Sequence, residues 1–156
     1  MENLNTQTTG IEIRGLAPLL LVFDMKRSLQ FYCEVLGFEL VSSDNAGPDY
    51  GWVLLSSGNT ELMMEPIYPK DHQPVLPDPV RTAHHRDTVI YFGCPDVDAA
   101  YSHLISNGID VKEPRIAYYG MKQLYLTDPD GYLLCFQWPA SEAAMDEWKK
   151  RYGFQP

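Results

Sequence analysis

The chain repeats itself once, and this repetition limits its fold more than any other feature. Asp24 opens a stretch in which Met25, Leu29, Tyr32 and Leu36 fall at helical spacing before Gly37. Asp96 opens a second stretch, with Val97, Ala100, Leu104 and Ile105 on one face before Gly108. Asp is a natural helix N-cap, and Gly supplies the left-handed residue that ends a helix. Strand-like runs surround both helices in the same order. Residues 16–23, 38–41, 52–56 and 61–65 read as strands in the first half, and 88–94, 109–111, 122–127 and 133–138 in the second. The anchors Asp24/Asp96, Gly37/Gly108 and Gly58/Gly131 are separated by 72, 71 and 73 residues. An offset this constant predicts tandem β-α-β-β-β modules, an α+β architecture with mixed sheets. One helix covers one face of each sheet, and the other face must find another sheet.

The repeat divides the chain. Residues 1–13 form a polar N-terminal tail, 14–66 the first module, 67–86 a linker, 87–139 the second module and 140–156 a C-terminal helix. Residues 66–85 hold five prolines and no periodicity, so the connection reads as stiff and irregular. In the last segment Ser141 reads as an N-cap, with Ala144, Met145, Trp148 and Tyr152 on one helical face.

Composition removes several function classes. At 156 residues and 45% hydrophobic content, the chain can build a core without metal or disulfide staples. Twelve Lys and Arg against 21 Asp and Glu give a net charge of −9. No basic surface is available to displace counterions from phosphate, so nucleic acid is excluded as a partner, and anionic lipid is repelled. The longest apolar run, residues 16–23, is far short of a membrane span, and no membrane association is expected. The N-terminus lacks a basic segment ahead of an apolar one, so no signal peptide is expected. Cys33, Cys94 and Cys135 are odd in number and have no CxxC spacing, which fits free thiols in a reducing cytoplasm.

The run Asp24-Met25-Lys26-Arg27-Ser28-Leu29-Gln30-Phe31-Tyr32, followed by Val35-Leu36-Gly37-Phe38, resembles the first-module signature of the vicinal oxygen chelate superfamily. Tyr119-Gly120, Leu126-Thr127-Asp128-Pro129-Asp130-Gly131 and Leu134-Cys135-Phe136 resemble its second-module signature. That superfamily contains glyoxalase I, bleomycin resistance proteins, extradiol dioxygenases and fosfomycin-modifying enzymes. The likeness covers residues 14–139. It implies paired modules around a cleft, commonly in a homodimer, and is nearly silent on the reaction.

The resemblance also implies where a divalent ion would sit. Its ligands generally lie seven residues before each capping Asp and four residues after each turn Gly. Those positions are Ala17, Val89, Leu62 and Cys135. Three of the four cannot ligate, and one thiolate does not make a site. No cofactor is therefore expected. The second reading is a divalent metal in a displaced site built from Glu61, Glu65, His84, His85 or Cys135, serving a lyase, isomerase or dioxygenase. His72, His84, His85 and His103 otherwise read as surface or loop residues.

Strand alternation extends the mapped positions into a cleft lining. It comprises Leu19 and Leu21, Leu62 and Met64, Tyr91, and Leu133, Cys135 and Gln137. Tyr50, Trp52, Tyr118 and Tyr119 lie on adjoining strands or loops, where they can stack on a planar ligand. An apolar and aromatic lining with a few polar groups is the usual make-up of a small-molecule pocket. The expected function is metal-free binding of a small cationic or aromatic molecule, as in antibiotic sequestration.

Overall fold

The computed structural model of the chain describes residues 10–153. Most of the expected tail, residues 1–9, and the last three residues of the C-terminal segment lie outside the described residues. In the first half, β1 (Leu19–Val22), β2 (Glu39–Ser43), β3 (Val53–Ser57) and β4 (Thr60–Pro66) form a sheet in the order β1-β4-β3-β2. β1 runs parallel to β4, and the other pairs are antiparallel. The helix that makes the first crossover starts as α1 (Met25–Leu29), where Asp24 Oδ1 accepts from Arg27 N at 3.0 Å. It then widens into a π-helical turn over Gln30–Val35, closed by Leu36 N–H on the Phe31 carbonyl at 3.0 Å. The wider turn lets the consecutive residues Phe31 and Tyr32 both face inward, and both are buried.

The linker departs from its expected irregularity. It contains α2 (Pro79–His84), flanked by short 3-10 turns at Lys70–His72 and His85–Asp87. Asp78 caps α2 by accepting from Val80 N at 2.9 Å, and Pro79 occupies the first helical position, where a missing N–H costs nothing. His84 ends α2 and His85 opens the following turn.

The second half repeats the first. β5 (Val89–Gly93), β6 (Arg115–Ile116), β7 (Met121–Thr127) and β8 (Leu133–Pro139) form a sheet in the order β5-β8-β7-β6. The crossover is α3 (Val97–Ser106), capped by Asp96, which accepts from Ala99 N at 2.8 Å. Residues 109–111, expected to start a strand, carry no ladder, and pairing begins only at Arg115. The charged Asp110, Lys112 and Glu113, followed by Pro114, are poor strand formers and leave β6 only two residues long. The chain closes with α4 (Glu142–Tyr152), capped by Ser141 and ended by Gly153 at φ +67°. Among the described residues no helix is long and apolar enough to cross a membrane.

The helix-covered faces of the two sheets share one core. Leu20, Val22, Val53, Leu55, Leu62 and Met64 from the first sheet belong to the same buried cluster as Phe92, Leu124, Leu126 and Leu134 from the second. Phe38 meets Phe92 edge to face at 6.0 Å across the boundary. Polar contacts join the modules as well. The loop Asp128–Tyr132 between β7 and β8 reaches the first module, where Phe23 N donates to Asp130 Oδ1 at 2.6 Å and Ser28 Oγ to Asp130 Oδ2 at 3.2 Å. His103, on α3, reaches the Val35 carbonyl through Nε2 at 2.8 Å.

Candidate functional site

The register of each sheet decides which side chains share the helix-free face. In the second sheet Tyr91 is aligned with Cys135 and Tyr125, and Gln123 with Gln137 and Arg115. Leu133 aligns with Val89 and Thr127 on the same side. This face carries the expected residues Tyr91, Leu133, Cys135 and Gln137 together. It also carries Gln123 and Tyr125, which sequence reasoning passes over. Their signal was available, because Gln123 and Tyr125 alternate with the buried Leu124 and Leu126.

In the first sheet Leu19 is aligned with Met63 and Leu21 with Glu65, while Leu54 pairs with Met63. The helix-free face is therefore Leu19, Leu21, Leu54, Glu61, Met63 and Glu65. Leu62 and Met64, expected in the cleft, point the other way with Leu20 and Val22 and are fully buried in the core. The slip has a local cause. β3 and β4 join through the two-residue turn Gly58-Asn59, whereas β7 and β8 join through the five-residue loop Asp128–Tyr132, so the two turn glycines are not equivalent. Counted from register instead, Tyr91 facing Cys135 corresponds to Leu19 facing Met63, at one offset of 72 residues.

The expected aromatics separate. Tyr50 packs against the core cluster rather than the open face. Trp52 continues the β2–β3 ladder through Asp44 N–H on its carbonyl at 3.2 Å, so alternation places it on the face of Leu54. Tyr118 and Tyr119 are exposed and meet edge to face at 5.1 Å. Tyr119 folds back onto the second sheet.

The outcome is a hydrogen-bonded row on the helix-free face of the second sheet. Tyr91 and Tyr125 hydroxyls lie 3.1 Å apart. The Tyr125 hydroxyl donates to Gln123 Oε1 at 3.3 Å. Gln123 Nε2 donates to Tyr119 Oη at 2.7 Å and to Gln137 Oε1 at 2.8 Å. Cys135 lies beneath, aligned with Tyr91 on one side and Tyr125 on the other. Gln123 and Cys135 are buried, whereas Tyr91 is 48% and Tyr125 40% exposed. The hydrogen bond with Tyr91, then burial, raises the Tyr125 hydroxyl pKa, and burial raises that of the Cys135 thiol. Tyr125 and Cys135 are thus uncharged at neutral pH. Beside them a cavity of about 470 Å³ opens between Gln123, Tyr125 and residues 110–117, of which 110–114 carry no ladder. It exists because β6 is short.

At the mapped positions the described residues do not fit a divalent ion. Position by position the first module offers Ala17 and Met63 and the second Val89 and Cys135, so one thiol stands alone. The alternative donors do not gather either. Among the described residues no three His, Cys, Asp or Glu side chains converge in a way that could hold a metal. His85 stacks on Tyr132 at 3.9 Å and binds the Asp130 carbonyl at 2.6 Å, while His84 is exposed beside Asp87 at 3.8 Å.

Comparison with known proteins agrees with this geometry. Residues 15–136 match the model of the Glyoxalase/Bleomycin resistance protein/Dioxygenase superfamily. The chain belongs to this superfamily. Another protein similar to this glyoxalase-superfamily chain is the uncharacterized protein YaeR of Escherichia coli (strain K12), 31% identical over 69% of this chain and 82% of YaeR. Among solved structures, SMU.1112c superposes with a TM-score of 0.63 at 26% identity, over 81% of this chain and 100% of that one. TnmS3, an antibiotic binding protein from Streptomyces sp. CB03234, superposes with a TM-score of 0.62 at 22% identity, over 84% of this chain and 100% of TnmS3. The likeness to TnmS3 is one of fold.

Proposed function

We propose that this glyoxalase-superfamily chain is a metal-free binding protein for a small planar molecule, held on the helix-free face of the second sheet. The single observation that carries this reading is the row Tyr91, Tyr125, Gln123, Gln137 and Tyr119 beside a cavity of about 470 Å³. Tyrosine combines an apolar ring with a polar tip, and an exposed tyrosine cluster offers stacking area with hydrogen bonds at its rim. That an antibiotic binding protein shares the fold supports sequestration as the use of such a site. A homodimer belongs to the same reading. The exposed Leu19 and Leu21 of the first sheet form an apolar surface that a second copy would cover.

The test is chemical-shift mapping on isotope-labelled full-length protein, titrated with bleomycin and with a library of planar aromatic compounds. The expected result is submillimolar binding by at least one planar compound, with shifts clustered on Gln123, Tyr125, Cys135 and Gln137, and at least tenfold weaker binding in Tyr125→Ala. Shifts clustered elsewhere, or no affinity better than millimolar across the library, would overturn the reading.

A further inference from the structure

With Gln123 oriented so that Nε2 faces Tyr119 and Gln137 and Oε1 faces Tyr125, the fixed capacity of each donor and acceptor assigns the hydrogens of the tyrosine–glutamine row. The Tyr125 hydroxyl has one proton and gives it to Gln123 Oε1. Tyr91, 3.1 Å away, must then donate to Tyr125 and not the reverse. Gln123 Nε2 has two hydrogens, and both are committed, one to Tyr119 Oη and one to Gln137 Oε1. Gln137 has therefore used its oxygen as an acceptor, and its amide nitrogen keeps two hydrogens with no partner among the described residues. Tyr119 has likewise accepted through its oxygen and retains its own proton. Gln137 Oε1 and Tyr119 Oη both meet a single nitrogen, Gln123 Nε2, so the two side chains that carry the spare hydrogens are neighbours. Gln137 is half-buried and Tyr119 is 54% exposed, so both are open to a ligand.

Charge narrows the ligand further. The row contains no carboxylate, ammonium or guanidinium group. Around the cavity Asp110 and Glu113 are matched by Lys112 and Arg115, so the rim has no net sign. The chain as a whole carries −9, which disfavours an anion. A cation gains nothing from the two spare amide hydrogens of Gln137 and finds only phenol oxygens as acceptors in the row. We propose that the ligand of this site is an uncharged planar molecule bearing a hydrogen-bond-accepting oxygen of the carbonyl type, which takes the spare hydrogens of Gln137 Nε2 and the Tyr119 hydroxyl. This rests on the binding reading above and turns the expected cationic ligand into a neutral one.

Four probes of one shape separate the cases. Indane has no polar group, 1-indanone adds a carbonyl oxygen, 1-aminoindane is a cation at pH 7 and indane-1-carboxylate an anion. Each is titrated into the full chain and followed by amide shifts. The expected order places 1-indanone about 5- to 20-fold tighter than the other three, the range for one or two hydrogen bonds between neutral groups. Gln137→Leu and, as a milder variant, Tyr119→Phe each bring the affinity for 1-indanone close to that for indane measured in the same variant. Equal affinity for indane and 1-indanone, or tightest binding of either ion, would overturn the neutral-acceptor inference while leaving the binding reading in place. If none of the four shifts residues on this face, the binding reading itself fails.

Discussion

The Tyr32 hydroxyl, from the first module, donates a 3.0 Å hydrogen bond to Asp128 Oδ2 in the last hairpin loop of the second, and both residues are buried. Asp128 Oδ1 accepts from Asp130 N at 2.9 Å and Tyr132 N at 2.8 Å. These three donors favour the charged carboxylate, but burial outweighs them and lifts the Asp128 pKa from 3.8 to about 6. Burial raises Asp130 in the same direction.

The pH consequence follows by linkage. A carboxyl whose folded pKa exceeds its unfolded value binds its proton more tightly in the folded state. Stability from Asp128 therefore falls as pH rises from about 4 to about 6, and the full penalty, at most about 3 kcal/mol, stands above that window. Urea unfolding should show a higher midpoint near pH 5 than near pH 7.5. Asp128→Asn keeps an oxygen for the two backbone donors, and its amide can donate to Tyr32, so it should flatten that slope at a cost of about 1 kcal/mol or less. An unchanged slope in the variant would show that Asp128 titrates as an ordinary surface carboxylate.

Gly131 ends the same loop at φ +89°, and a Cβ there would stand 2.7 Å from the Thr82 carbonyl oxygen on α2. Gly131→Ala therefore meets both backbone strain and a clash with main chain. We expect a loss of about 2 kcal/mol or more, measured by thermal or urea unfolding, while Gly58→Ala, which also lies at positive φ but in open space, loses less. Equal losses at the two positions would mean that α2 does not press on the loop.

The register of β4 makes neighbouring residues behave oppositely. Leu62 is fully buried, so Leu62→Ala should cost about 2–4 kcal/mol through lost burial and the cavity it leaves. Met63 lies on the helix-free face and is half-buried, so Met63→Ala should cost about 1 kcal/mol or less. The reverse order would restore the register expected from counting turn glycines.

His85 stacks on Tyr132 with an interplanar angle of 4° and binds the Asp130 carbonyl through Nδ1. His85→Ala should lower stability by about 1–2 kcal/mol. Its amide shifts should concentrate on residues 128–132 and on β1, leaving Gln123 and Gln137 unmoved.

Much of this architecture is legible in the sequence, for physical reasons that differ by element. Asp24 and Asp96 cap the two crossover helices because the residues after them need acceptors for free N–H groups, and that need is local. The two β-α-β-β-β modules follow from it. Alternation then places Tyr91, Cys135 and Gln137 on one face, since Asp96 and Gly131 flank regular strands. Leu62 and Met64 were misplaced because a two-residue and a five-residue hairpin both contain a glycine. Strand identity is local, but which glycine matches which is set by pairing. The α2 segment had its signal in Asp78-Pro79, a cap followed by the residue best suited to a first helical position. The proline count masked it. Residues 109–111 lost their strand to the charges and Pro114 that follow, which also opened the cavity.

The outer edge of β1 has its own consequence. Tyr132 Oη accepts from Leu21 N at 3.2 Å and donates to Leu21 O at 3.2 Å, and Arg81 donates to the same carbonyl at 2.8 Å. An unpaired strand edge is a template on which further chains can stack into fibres. Here the template is spent on side chains from the connecting segment and the last hairpin. The connecting segment and the last hairpin loop thus occupy the Leu21 N–H and C=O on this margin, and a chain nicked beside Arg81 should leave that carbonyl to Tyr132 alone.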